Sequence, residues 1–70
     1  MNPDTLILKH QLGQLLASLT AATDNTVVMM RNLAAAMPPA EQPAALELAD
    51  KHKATMDKQI AAVRTSIEAL

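Results

Sequence analysis

The chain contains no cysteine and no phenylalanine, tyrosine or tryptophan. Without thiols there is no disulfide to staple the fold and no redox compartment to read. Without aromatic rings the side chains that bury most area are missing, and so are the platforms on which bases stack. Glycine is nearly absent as well: the one glycine, Gly13, sits inside a helical pattern, so no glycine-rich loop can cradle a phosphate. Neither sign of charge dominates, since six basic and seven acidic side chains leave a net charge of −1. These charges are scattered, whereas nucleic-acid binding gathers Lys and Arg on one face. No nucleic acid is expected among the partners.

Long apolar runs are missing too. The stretch from Gln11 to Met30 has Asp24 as its one formal charge, but Gly13, Gln14, Ser18, Thr20, Thr23, Asn25 and Thr26 interrupt it. A spanning helix takes roughly 20 predominantly apolar residues. The opening Met1-Asn2-Pro3-Asp4 lacks the basic start of a secretory signal. No membrane partner is expected, and the expected location is the cytoplasm.

What remains is helical punctuation and helical spacing. Asn2-Pro3-Asp4 reads as a helix start, with Asn as N-cap, Pro at the first helical position and Asp facing the positive end of the dipole. An apolar row follows at Leu8, Leu12, Leu15, Leu19, Ala22, Thr26, Met29, Leu33 and Ala36, in alternating steps of four and three. A neighbouring row of Leu16, Val27, Met30, Ala34 and Met37 widens the stripe beyond what one partner helix covers. Pro38-Pro39 ends the run, because neither residue donates a backbone bond and each disfavours helix in its predecessor.

A second start at Ala40-Glu41-Gln42-Pro43 leads into the row Leu46, Ala49, Lys53, Met56, Ile60, Val63, Ile67, Leu70. Glu47 and Lys51, off this row, form an acid-before-base pair at the favourable i,i+4 spacing. The sequence thus predicts one all-α domain over residues 1–70: a helix over about 3–37, a Pro-Pro turn at 38–40, and a helix over about 41–69. Thr23-Asp24-Asn25-Thr26 are poor helix formers, and a break there would make three helices. The apolar row runs through them in phase, which favours one long helix.

Two helices of similar length folded at a tight turn make an antiparallel hairpin. They touch along one line and leave the rest of each apolar face wet. Two hairpins pairing into a homodimeric four-helix bundle would close the core. Leu15, Leu19, Leu33, Ile60 and Val63 are the expected core.

Catalytic chemistry finds no anchor. Folding about position 40 sets His10 and His52 roughly 27 Å apart along the hairpin, too far to share a metal. No Glu-x-x-His pair and no glycine-flanked serine occurs. No catalytic, cofactor-binding or metal residue is assigned, and neither an enzyme nor a cofactor is expected. Lys53 interrupts its apolar row; it could pair with Asp24 across the hairpin, but a packed stem with its ammonium in water is the expectation.

The Pro-rich turn followed by Ala-Ala-Leu, over Pro38–Leu46, resembles the turn of the short helical hairpins that serve as type III secretion needle subunits and their small co-chaperones. The tryptophan of the needle subunits is absent here, so no residue role carries over. Very short, cysteine-free helical chains are also a form taken by phage inhibitors of host proteins. The expected function is a small non-enzymatic regulator or inhibitor that docks a helical apolar face on a target protein. The alternative is a secretion-type co-chaperone or structural hairpin subunit. The partners are then the chain itself, as a homodimer or higher oligomer, and an unidentified protein. Ile7, Val28, Met29, Met30 and Leu48, apolar residues that a two-helix seam does not need, are the expected partner-binding positions.

Overall fold

A computed structural model describes residues 2–70; Met1, part of the opening read above for a signal, lies outside the described residues. Two helices account for nearly all of it: α1, Pro3–Ala35, and α2, Gln42–Glu68. The side-chain carbonyl of Asn2 accepts the N–H of Asp4 at 2.8 Å, with Pro3 in the first turn, so the N-terminal cap forms as its residues dictate.

α1 is unbroken through residues 23–26, and the three-helix alternative is not adopted. The reason lies in the threonines. Thr20, Thr23 and Thr26 each donate a hydroxyl to the carbonyl four residues earlier, at 2.9 Å. Hydroxyls that could have favoured a turn are satisfied inside the helix instead.

The helix stops at Ala35, two residues short of the expected end. Met37 precedes Pro38 and is pushed away from helical geometry, so the last turn tightens. Ala36 and Met37 donate to Leu33 and Ala34 at 3.1 and 3.0 Å, and Glu41 donates to Pro38 at 2.9 Å. The Gln42 amide then reaches back and donates to the carbonyls of Ala35, at 3.3 Å, and Met37, at 3.0 Å. The Ala35 carbonyl is among those that a helix end leaves without partners, and Met37 lies in the turn just beyond. The first residue of α2 therefore caps α1, a link that the spacing of apolar residues could not reveal.

The chain folds back about the turn with the expected antiparallel register. Arg31 pairs with Asp50 at 3.0 Å, and the Lys9 ammonium donates to the Glu68 carbonyl at 3.2 Å. Between these points the seam buries Leu16, Thr23, Val27 and Ala34 of α1 against Ala49 and Ile60 of α2. Leu12, Met30, Ala45, Met56 and Ile67 flank it half-buried.

The expected core needs correction. Ile60 is buried, but within the hairpin Leu15 is 66%, Leu33 65%, Val63 45% and Leu19 43% exposed. Both apolar rows of α1 have helical periodicity and lie on adjacent faces of the helix. The seam takes the row of Leu16, Thr23, Val27 and Ala34, in which Ala34, close to the level of the buried Ala49, puts little side-chain bulk between the helices. The leucine-rich row is turned outward.

The result is a slab one helix thick. Its Cα atoms span 57 × 15 × 6 Å. The radius of gyration is 16.6 Å, against about 11 Å for a compact chain of this length. Among the described residues, no large side chain is fully enclosed.

Candidate functional site

The two broad faces of the slab differ in chemistry. One carries the charges: the Arg31–Asp50 pair, Lys9 beside the end of α2, and Lys53 with Asp57 at 2.6 Å. A shallow groove on this side is lined by Gly13, Leu16, Ala17, Arg64, Ile67 and Glu68. The hydrogen bond from Lys53 to the Asp57 carboxylate, and the charge attraction behind it, raise the Lys53 pKa above its usual value. The Lys53 side chain is 44% exposed, and its partner is Asp57 on its own helix, with Asp24 a weaker and more distant influence. Lys51 pairs with Glu47 at 3.1 Å, the i,i+4 pair expected from the sequence.

The other face is apolar. Leu8, Leu15, Leu19, Met29 and Leu33 all stand exposed along α1, and no member of their row is charged. Beside them a groove between the helices is lined by Leu12, Ala62, Val63, Ser66, Ile67 and Leu70. This groove shows which side of α2 adjoins the leucine row. Followed back at helical spacing, that side of α2 reads Ser66, Ala62, Gln59, Thr55, His52 and Leu48. The leucine row thus belongs to α1, and α2 offers it a mixed neighbour, apolar at Val63 and Leu70 and polar at Gln59, Thr55 and His52.

The positions expected to bind a partner separate in the structure. Ile7, Val28, Met29 and Leu48 are exposed, whereas Met30 is half-buried at the seam. The hairpin register set by Arg31 and Asp50 puts Leu48 level with Leu33, so Leu48 and Met29 border the leucine face. Ile7 and Val28 lie off that face, and 21 residues of helix hold them roughly 31 Å apart. Leu15, Leu19 and Leu33, expected in the core, stand on this face with Leu8, and the 4-3 spacing of their row was the signal of a second face.

The histidines do not converge. His10 is exposed on α1, and His52 is half-buried on α2. Among the described residues, no group of three or more His, Cys, Asp or Glu side chains is placed to hold a metal ion. No described helix is long and apolar enough to cross a membrane. The chain matches no protein-family model, no curated protein and no solved structure.

Proposed function

We propose that this chain is a non-enzymatic protein-binding regulator or inhibitor, built as a homodimeric four-helix bundle in which two hairpins cover each other's leucine faces. One observation carries the reading. A charge-free, mainly apolar row runs nearly the length of α1, and all of it but the half-buried Leu12 is left exposed by α2. Contiguous exposed apolar surface of this kind marks an interaction site in a soluble chain. Closing two slabs face to face gives the two-layer core that a single slab lacks.

Ile7 and Val28, exposed and off the leucine row, stay outside such a dimer and are the positions at which a target protein would dock. The hairpin needs neither cofactor nor metal for this role. The cytoplasm remains the proposed place of action.

Sedimentation equilibrium at micromolar concentration tests the first step. A dimer for the parent chain and a monomer for Leu15→Asp are expected; a cooperative, well-folded parent monomer would overturn the bundle. Affinity capture from the native cells tests the second. One protein should be enriched by the parent chain and lost with Ile7→Asp and Val28→Asp, while both variants stay dimeric. If both variants retain it, docking runs instead through the polar side around Asp50, Lys51, Asp57 and Lys58. The same uncovered row also suits a secretion-type co-chaperone or structural subunit, whose face a different chain completes. In that case the chain alone is monomeric and gains cooperative melting only when co-expressed.

A further inference from the structure

We infer that the second copy lies across α1 antiparallel to it, α1 against α1, about a two-fold axis that passes between Thr20 and Ala21. This rests on the homodimer proposed above and specifies its geometry. The basis is a self-complementarity in the exposed row. Turned end for end about that axis, Leu8 meets Leu33 of the other copy, Leu12 meets Met29, Leu15 meets Thr26 and Leu19 meets Ala22. All eight positions find a partner within the same row, as an isologous two-fold contact requires.

The neighbouring registers do worse. Shifting by one heptad in one direction sets Leu8 opposite Ala40, beyond the end of α1 at Ala35. Shifting in the other direction carries Leu33 past the start of the partner helix at Pro3. The central pairs also set a large side chain against a small one, Leu19 on Ala22 and Leu15 on Thr26, so that facing layers can interdigitate. The Thr26 hydroxyl is already bonded to the Ala22 carbonyl of its own helix, so covering it strands no donor.

The competing arrangement runs the two-fold axis along the helices and lays α1 on the partner's α2. It would set Val63 and Leu70 against one end of the leucine row but press the rest against His52, Thr55 and Gln59, burying polar groups for which the leucines offer no partner. Charge favours the homotypic contact too. The row carries no charge from Leu8 to Leu33, so two identical chains meet there without repulsion. The outline of the whole face, 57 × 15 Å between Cα atoms and shared by α1 and α2, is about 850 Å² per copy, of the order of the roughly 800 Å² per partner in a standard stable interface.

The absence of cysteine makes the test direct, because one introduced thiol carries one spin label. His10→Cys, Gln14→Cys and Ala21→Cys place labels at exposed sites on the side of α1 away from the leucine row. In the antiparallel dimer the two labels are offset along the axis by roughly 32, 20 and 2 Å respectively, at 1.5 Å per residue. Pulsed dipolar spectroscopy on each labelled dimer should therefore give distances that shorten in that order. Sedimentation as a dimer with the same distance at all three sites would overturn the antiparallel geometry and leave the dimer standing. Sedimentation of the labelled and parent chains alike as monomers, with no dipolar signal, would overturn both.

Discussion

Leu15 and Leu16 are consecutive on α1 and face opposite environments: Leu16 is 7% exposed in the seam with α2, and Leu15 is 66% exposed on the uncovered face. A turn of about 100° between neighbours separates the contact that makes the hairpin from the one proposed to make the dimer. The two can be tested apart. Leu16→Ala should destabilise the chain by about 2–3 kcal/mol at every concentration, by loss of buried area and the cavity left behind. Leu15→Ala should change little at high dilution and lower the melting temperature only where the dimer is populated. Thermal melts followed by circular dichroism over a hundredfold concentration range distinguish the two.

Gly13 lies inside α1, and a Cβ added there meets nothing within 4 Å. Gly13→Ala should therefore stabilise by about 0.5–1 kcal/mol, chiefly because alanine has less backbone freedom to lose on folding. For a chain of this size that is a rise of roughly 2–8 °C in Tm. An unchanged or lower Tm would mean that a partner backbone approaches closely at Gly13.

Ala49 is fully buried in the seam, close to the level of the equally buried Ala34 of α1. Ala49→Leu should overpack this point and cost about 1–3 kcal/mol, even though it adds apolar area. Denaturant unfolding gives the midpoint shift. A gain in stability would show that the seam is looser than described.

Gln42 joins the two helices through two amide hydrogen bonds to the end of α1. Both bonds are exposed, so Gln42→Ala should cost only about 0.5–1 kcal/mol. Amide hydrogen exchange should report the loss locally, as faster opening of the last turn of α1. Uniform acceleration along the chain would instead point to a global role for this residue.

The Lys53–Asp57 bond predicts a pH effect of definite sign. The folded chain holds the Lys53 proton more tightly than an ordinary lysine, whose pKa is 10.5. Its contribution is complete below that value and is lost as pH rises through the raised folded pKa. The stability difference between the parent and Asp57→Asn should therefore be constant from neutral pH to about 10 and shrink above it. With the side chain 44% exposed, the difference should be small and sensitive to salt. A difference that grows with alkalinity would contradict the pairing.

Much of this molecule follows from local chemistry. Asn2, Pro3 and the Pro38-Pro39 pair set where α1 starts and where it must stop, and the i,i+4 spacing of Glu47 and Lys51 became an ion pair. The antiparallel register follows from one short turn between two helices of similar length. These are short-range effects, carried by a cap, a missing N–H or a single helical turn, and they do not depend on the rest of the fold. Which row of α1 enters the seam is a different matter. Helical periodicity assigns Leu15, Leu19 and Leu33 to one face and Leu16, Val27 and Ala34 to the next, and gives both the same claim to be inside. Apolar content alone favours the leucines. The tertiary structure took the other row, in which Thr23, Ala34 and, across the seam, Ala49 put little side-chain bulk between the helices, and Thr23 satisfies its hydroxyl on the Leu19 carbonyl. Close packing between two surfaces is a property of the pair, and neither helix carries it alone.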